Sequence, residues 1–405
     1  MKLLHTSDWH LGRTLYSKKD RQEEQAAFLK WLLTAINDYS IDILIVAGDV
    51  FDNPSPGNHS QKMYYDFLLK VCTTRCQHVI IIGGNHDSPG FLNAPKEMLA
   101  AIHVHVIGNA SENLDDEIIT LKDKHENPLA IVCAVPFLRE RDVSRFTEGE
   151  SYSDRSKRIA ENIRKHYEII AEMAAKMRDN IQMKIPVIVT GHLSVAGGKK
   201  VDDDGVRDTY IGNIECIGSE IFSPVFDYVA LGHYHIPSVI EQNIRYSGSP
   251  IPMGFGEVNQ KKSVYIVEFE ENTPSIATVD IPVFQQMESI RGDKSYLHDR
   301  LTELKKVNRS VWVEIIYEGD DIFPDLMSWA NEMTEQTKIE IIKLQNRQYL
   351  NEVLTQNDST QTLEELDLFE VFDKLLEKNN FSSEKNEMLK NLYHEITTEL
   401  SFEKY

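Results

Sequence analysis

ILIVAGDVFD, Ile43 to Asp52, opens with four apolar residues, three of them β-branched, and then turns at Gly48-Asp49. A short continuous apolar run stopped by glycine reads as a strand buried on both faces. Asp49 then stands just past the strand's carboxyl end, and in open α/β sheets ligands bind in that crevice. One such aspartate says little, because loop aspartates commonly bond local backbone. Its weight comes from repetition of the same arrangement along the chain.

Working outward, Lys2–His5 is a short apolar strand followed by Thr6-Ser7-Asp8-Trp9-His10, with Asp8 and His10 spaced two apart. In an extended segment that spacing lets both side chains point the same way. Val79–Ile82 runs into Gly83-Gly84-Asn85-His86-Asp87, Pro186–Val189 leads to Gly191-His192, and Tyr228–Leu231 leads to Gly232-His233-Tyr234-His235. The glycines before Asp49, Asn85, His192 and His233 let the backbone turn sharply and approach a bound ion. Taken singly, Asp-x-His is more often a chance pair, and Gly-Asn-His-Asp alone could be an ordinary turn. Five such groups, each at the same end of its strand, exceed what chance supplies. Asp and Asn oxygens mixed with His nitrogens suit Mn²⁺, Fe²⁺ or Zn²⁺ rather than a thiolate-rich structural zinc site. Asp8, His10, Asp49, Asn85, His192, His233 and His235 are too many donors for one tetrahedral ion, but fit two octahedral ions sharing a carboxylate.

The series DxH, GDxxD, GNHD, GH and GHxH resembles the calcineurin-like metallophosphoesterase superfamily. HTSDWHLG, AGDVFD, GNHDS, VRDTYIG at 206–212, ALGHYH and YSGSPIP at 246–252 are similar to the SbcD family within it, the nuclease subunits of bacterial SbcCD complexes. The likeness covers the first 275 residues strongly and the rest by layout. Archaeal and eukaryotic relatives often carry His at the position of Asp52, which sets this chain nearer the bacterial branch. The resemblance implies two divalent metal ions, manganese by expectation. Asp49 would bridge them, with Asp8, His10 and His235 on one and Asn85, His192 and His233 on the other. It also implies a metal-dependent DNA exonuclease and endonuclease working with an SbcC-type coiled-coil ATPase, and a homodimer of the nuclease domain within a heterotetramer. Two ions supply an activated water and neutralise phosphoryl charge. His86, beside a ligand, is expected to protonate the leaving oxygen or stabilise the transition state, with Asp87 holding its tautomer.

A chain of 405 residues should hold two or three domains, and 41% apolar residues can fill a core. No apolar run approaches the 18 or more residues of a membrane span, and the first strand at Lys2 leaves no room for a cleavable signal. The four cysteines, Cys72, Cys76, Cys133 and Cys216, lack zinc or redox spacing, and three in apolar surroundings read as buried thiols. A reducing cytoplasm fits them, with nucleoid association when on DNA. The net charge of −21 speaks against nucleic acid at face value, yet Leu350–Tyr405 alone carries −8. Basic residues cluster near the ligand-bearing strand ends: Arg13, Lys18, Lys19 and Arg21; Arg139 and Arg141; Lys199 and Lys200; Lys261 and Lys262. So small a basic inventory predicts weak DNA affinity for the chain alone.

Helical apolar stripes fall at Arg21–Asn37, Met63–Val71 and Ser151–Arg178. Strands alternating with such helices indicate a layered α/β fold, here a metallophosphoesterase β-sandwich flanked by helices. Arg245–Tyr246, Val264–Phe269 and Ser275–Asp280 are expected to complete its second sheet. The nuclease domain is assigned to 1–280. Residues 281–348 read strand, helix, strand, helix, strand, a small α/β capping domain (Val283–Ile290, Ser295–Leu304, Val311–Tyr317, Pro324–Thr334, Lys338–Leu344). Residues 349–405 are a polar linker and two amphipathic C-terminal helices, the first started by a Thr362–Glu365 capping box, and form the expected partner-binding segment. The chain has no phosphate-binding loop, so any ATP dependence must come from a partner. The competing reading is a stand-alone dinuclear-metal phosphodiesterase or phosphatase acting on small substrates.

Overall fold

A computed structural model describes residues 1–144, 151–199, 217–270, 273–319, 321, 323, 325–346 and 390. Position 390 apart, the linker and helix expectations for 349–405 lie outside the described residues, as do the VRDTYIG run, Lys200 and Cys216. Two mixed sheets are built from the strands β1 (Lys2–Thr6), β2 (Ile43–Ala47), β3 (His78–Ile82), β4 (Val104–Ile107), β5 (Ile118–Lys122), β6 (Pro128–Cys133), β7 (Val187–His192), β8 (Tyr228–Gly232), β9 (Ser238–Glu241), β10 (Ile244–Tyr246), β11 (Ser263–Glu270) and β12 (Thr273–Asp280). Their orders are β12-β11-β1-β2-β3-β4 and β5-β6-β7-β8-β10-β9.

In the first sheet β1 to β4 run parallel. In the second, β6, β7, β8 and β10 run parallel. The continuous apolar runs are buried on both faces, as parallel strands require. Ile43, Ile45 and Ala47 of β2 face inward, with Ile80, Ile82, Ala130, Val132, Ile188 and Ala230, to make the core between the sheets. Leu44 and Val46 point the other way, to a core shared with the helices Gln22–Asp38 and Asn58–Val71. Val187 and Val189 likewise face the helix Tyr152–Ile181 through Ile163, Tyr167 and Ile170. Each fully buried aliphatic side chain contributes roughly 1.5–3 kcal/mol relative to exposure. Among the described residues no helix is long and apolar enough to cross a membrane.

The three amphipathic helices occur where the stripes placed them; the second begins five residues earlier, at Asn58, and the other two have ends shifted by one to three residues. The late strands do not behave as expected. Only β10 joins the second sheet, whereas β11 pairs antiparallel with β1 and β12 with β11, extending the first. Apolar alternation shows that a segment is a strand and which face is buried, but not its partner. β11 is buried along most of its length because it lies between β1 and β12, while β12 alternates exposed and half-buried residues as an edge.

The described residues divide into two compact units. One is Met1–Ser289 with Leu304–Glu314 and Gln336–Lys343; the other includes Ile290–Glu303 and Ile315–Glu335. Three further strands, β13 (Gln286–Gly292), β14 (Val311–Tyr317) and β15 (Ile339–Asn346), form a small sheet in that order. The helices Lys294–Leu304 and Leu326–Thr334 alternate with them, as the sequence pattern requires. Within the second unit Phe323 packs its ring against Tyr317 and Trp329 at 5.3 and 5.4 Å, and Lys294 lies over it at 4.5 Å.

Candidate metal centre

The carboxyl ends of β1, β2 and β3 in one sheet, and of β7 and β8 in the other, open onto one crevice. Asp8, His10, Asp49, His192, His233 and His235 are all buried there, and Asn85 is half-buried. Short turns aim these side chains. Asp8, His10, Asp49 and His233 have φ of 53°, 45°, 48° and 108°, in the left-handed region that non-glycine residues avoid. Such residues cost about 1–3 kcal/mol each and persist only where neighbours fix them. The fixing bonds are visible: Asp8 N donates to Gly48 O at 3.0 Å, His10 N to Asp49 O at 3.0 Å and Leu11 N to Val50 O at 2.9 Å. Across the crevice His233 N donates to Asp8 Oδ1 at 3.0 Å, so a carboxylate from the first sheet caps a turn of the second.

Two glycines are required by close approach. A Cβ on Gly84 would lie 2.1 Å from Asp49 Oδ1 and 2.3 Å from Asp49 N. One on Gly48 would lie 2.2 Å from His192 Nδ1, at a position whose φ is +87°.

Asp49 stands at the centre. Its Oδ1 accepts from His86 N at 2.9 Å, while its Oδ2 lies 3.3 Å from His192 Nε2 and 3.6 Å from His10 Nε2. Burial opposes its charge, but His192, His10 and His86 overcome that and hold its carboxyl well below the usual range. Asp8, also buried and close to the Asp49 charge, is pushed up to about 6. Burial would lower His192, yet Asp49 and Asp8 raise it to about 9. Burial lowers His10 to about 3 and His233 well below the imidazole range.

His192 Nδ1 donates to the Ala47 carbonyl at 2.9 Å, which turns Nε2 into the crevice. That Nε2 lies 2.9 Å from Asn85 Oδ1 and 3.3 Å from Asp49 Oδ2. His10 Nε2 and His235 Nε2 face one another at 3.2 Å. Imidazole nitrogens and side-chain oxygens crowded this closely at buried points are groups that a bound cation would draw on as ligands. Ligand atoms of Asp8, His10 and His235, of His10, Asp49 and His86, and of Asp8, Asp49 and His192 lie within 4.8 Å of one another in each group. The donors are oxygen and imidazole nitrogen without sulfur, which fits borderline divalent ions. Asn85 joins through His192, and the His233 ring lies 5.4 Å from that of His192.

His86 is buried, its ring centroid 4.7 Å from that of His10. Its Nδ1 donates to the carbonyl of Asp52 at 2.8 Å. Position 52 therefore sets the tautomer that was expected to depend on Asp87. The Asp87 carboxylate is instead filled by backbone, accepting from Val50 N at 3.1 Å, Phe51 N at 2.9 Å and Gly84 N at 2.9 Å. It ties the Asp49 and Asn85 loops together, and burial with the Asp49 charge pushes it up to about 6.

Residues given no ligand role in the sequence also stand here. Asp52 Oδ1 lies 3.3 Å from His10 Nδ1 and 3.2 Å from Arg13. Glu257 and Lys262 are buried beside His235. No spacing motif marks either, because they reach the crevice only through tertiary packing. Three of the basic residues are committed to the fold rather than to a solvated face. Arg21 is buried against Glu24 and the Pro252 carbonyl, and Lys262 against Glu257. Arg139 donates to the carbonyls of Gly84 at 3.3 Å and Asp87 at 2.9 Å, fastening the Asn85 loop. Lys18, Arg141, Lys199 and Lys261 are exposed.

Comparison with known proteins agrees with this geometry. A calcineurin-like phosphoesterase family model matches residues 1–237, and a model described as the type 5 capsule protein repressor C-terminal domain matches 283–380. The chain is 33% identical over 398 residues to the SbcD subunit of the nuclease SbcCD from Escherichia coli (strain K12), covering 97% of each chain. Proteins of the same name from Rhodobacter capsulatus and Bacillus subtilis are 33% and 32% identical over 276 and 272 residues, 66% of each chain. With a phosphoesterase model spanning the crevice residues and a nuclease subunit matched from end to end, the chain belongs to the calcineurin-like phosphoesterase family, in its SbcD nuclease-subunit branch.

Proposed function

We propose that this phosphodiester hydrolase is the nuclease subunit of a DNA repair and recombination complex, cutting duplex ends and hairpins with an ATP-driven partner. The observation that carries the reading is the convergence of buried Asp8, His10, Asp49, His192 and His235 ligand atoms on one crevice. Asp8, His10 and His235 would hold one divalent ion and Asn85, His192 and His233 the other, with Asp49 shared; Mn²⁺ suits the set. The ions, when bound, supply an activated water and neutralise charge on the phosphoryl oxygens. His86, its Nδ1–H held by the Asp52 carbonyl, would present Nε2 to the leaving 3′ oxygen and, when that nitrogen carries a proton, pass it on. Asp87 and Arg139 keep the loop carrying Asn85 and His86 in register with Asp49.

The domain reading is a nuclease domain over 1–280, a capping domain over 281–348 and a partner-binding segment over 349–405. That segment would dock on the base of an SbcC-type coiled-coil ATPase, with the nuclease domain as a homodimer, in a cytoplasmic complex. Deleting 350–405 should abolish co-purification with the ATPase and spare manganese-dependent hydrolysis of a small phosphodiester; a truncated chain that still co-purifies sinks the docking assignment.

The deciding experiment is hydrolysis of a hairpin-ended duplex with Mn²⁺, by the chain alone and with its ATPase partner plus ATP, with Asp49→Ala as control. Cutting that the partner enhances and Asp49→Ala abolishes supports the nuclease reading. Brisk hydrolysis of a small phosphodiester with no DNA cutting in either setting replaces it with a stand-alone phosphodiesterase.

A further inference from the structure

We propose that the buried Glu257–Lys262 ion pair is a positioning device for His235, fixing that imidazole as the Nδ1–H tautomer with its Nε2 lone pair toward the ion held with Asp8 and His10. Glu257 is fully buried and Lys262 nearly so. Lys262 Nζ donates to Glu257 Oε2, to the His235 carbonyl at 2.8 Å and to Ser249 Oγ at 2.9 Å. Met253 N donates to the same Glu257 oxygen at 3.1 Å. One ammonium therefore grips both the backbone of His235 and the carboxylate that faces its ring.

The second carboxylate oxygen is the telling atom. Glu257 Oε1 is buried without a hydrogen bond, and His235 Nδ1 lies 3.5 Å from it. A buried carboxylate oxygen left without a donor is costly, and that imidazole N–H is placed to satisfy it. A proton on Nδ1 leaves Nε2 of the neutral ring as a lone pair, and that atom is the one 3.2 Å from His10 Nε2. His10 is arranged in the same way: its Nδ1 faces Asp52 Oδ1 at 3.3 Å, and Arg13 answers that carboxylate at 3.2 Å. Each of the two imidazoles thus has a carboxylate at its back and a cation behind the carboxylate, whereas His192 is backed by the Ala47 carbonyl. Partners of this kind orient ligand histidines and raise their basicity. Lys262 is buried and does not extend a DNA-binding surface; its ammonium holds the Glu257 carboxylate and the His235 backbone together.

This inference rests on the two-ion reading above, and the test separates the two. Mn²⁺ binding would be followed by calorimetry on the full chain, wild type against Glu257→Gln, with ¹⁵N-imidazole resonances of His235 read in chelator-treated protein. The expected result is two ions on wild type, and in Glu257→Gln one site weakened roughly 10- to 100-fold with the other unchanged. The His235 resonance should also move away from the pure Nδ1–H position. Because Glu257→Gln strands the Lys262 charge, the pair Glu257→Gln/Lys262→Met removes both charges together and carries the same expectation if the single variant does not fold. A folded variant that binds two ions with wild-type affinity overturns the positioning role while leaving the two-ion centre intact. Wild-type protein that binds fewer than two ions overturns the two-ion reading, and this inference with it.

Discussion

Replacing Gly84 with alanine adds one methyl group where no atom fits. The new Cβ would stand 2.1 Å from Asp49 Oδ1 and 2.3 Å from Asp49 N. Non-bonded heavy atoms are comfortable at about 3.5 Å, so the Asn85 loop and the Asp49 turn must part by more than ~1 Å. Neither side yields easily. Asp49 N belongs to backbone at φ 48°, and its carboxylate already accepts from His86 N at 2.9 Å. The Asn85 loop is pinned by Asp87 to Val50 N, Phe51 N and Gly84 N. Overpacking of this kind costs about 1–3 kcal/mol of stability, which a domain of this size survives. The larger effect is on chemistry, since a ~1 Å misplacement of reacting groups costs about 10²-fold in rate. The assay is Mn²⁺-dependent hydrolysis of bis(p-nitrophenyl) phosphate by the chain alone, with urea unfolding run in parallel. Gly84→Ala should remain folded, lose about two orders of magnitude in kcat and bind Mn²⁺ more weakly. A variant with wild-type kcat and metal affinity would refute the claim that contact between these two loops sets the geometry of the site.

His86→Gln should retain Mn²⁺ binding and lose about 10²–10⁴ in rate; a matching loss of bound metal by calorimetry would instead make His86 a ligand. Mn²⁺ at roughly one hundred times its Kd should stabilise the fold by about 2.7 kcal/mol per site over chelator-treated protein, measured by urea unfolding, and an unchanged midpoint would contradict the metal centre. Burial pushes the Cys76 thiol up to about 12 and raises Cys133 as well, so neither is a thiolate at neutral pH. Iodoacetamide at pH 7.5 should therefore label exposed Cys72 ahead of both in the folded protein, and peptide mapping that finds Cys133 labelled first would contradict its burial.

The strand ends carrying Asp8, Asp49, Asn85, His192 and His233 were legible in the sequence because a buried parallel strand needs an unbroken apolar run, and the residue after it must sit in the crevice. The helical stripes were legible for the same local reason, since burying one face writes a period into the chain. Other features were set only by the tertiary structure. β11 pairs with β1 in the first sheet rather than joining the second, a choice of partner that alternation cannot encode. Glu257 and Lys262 are more than twenty residues from the His235 they hold, and Asp52 supplies a backbone carbonyl, which any residue has, to His86. Local sequence determines which face and which strand end a residue occupies, because pleat and twist are short-range. It does not determine which distant backbone atom or buried charge completes a neighbour's hydrogen bonds, because those partners meet only once both sheets are packed.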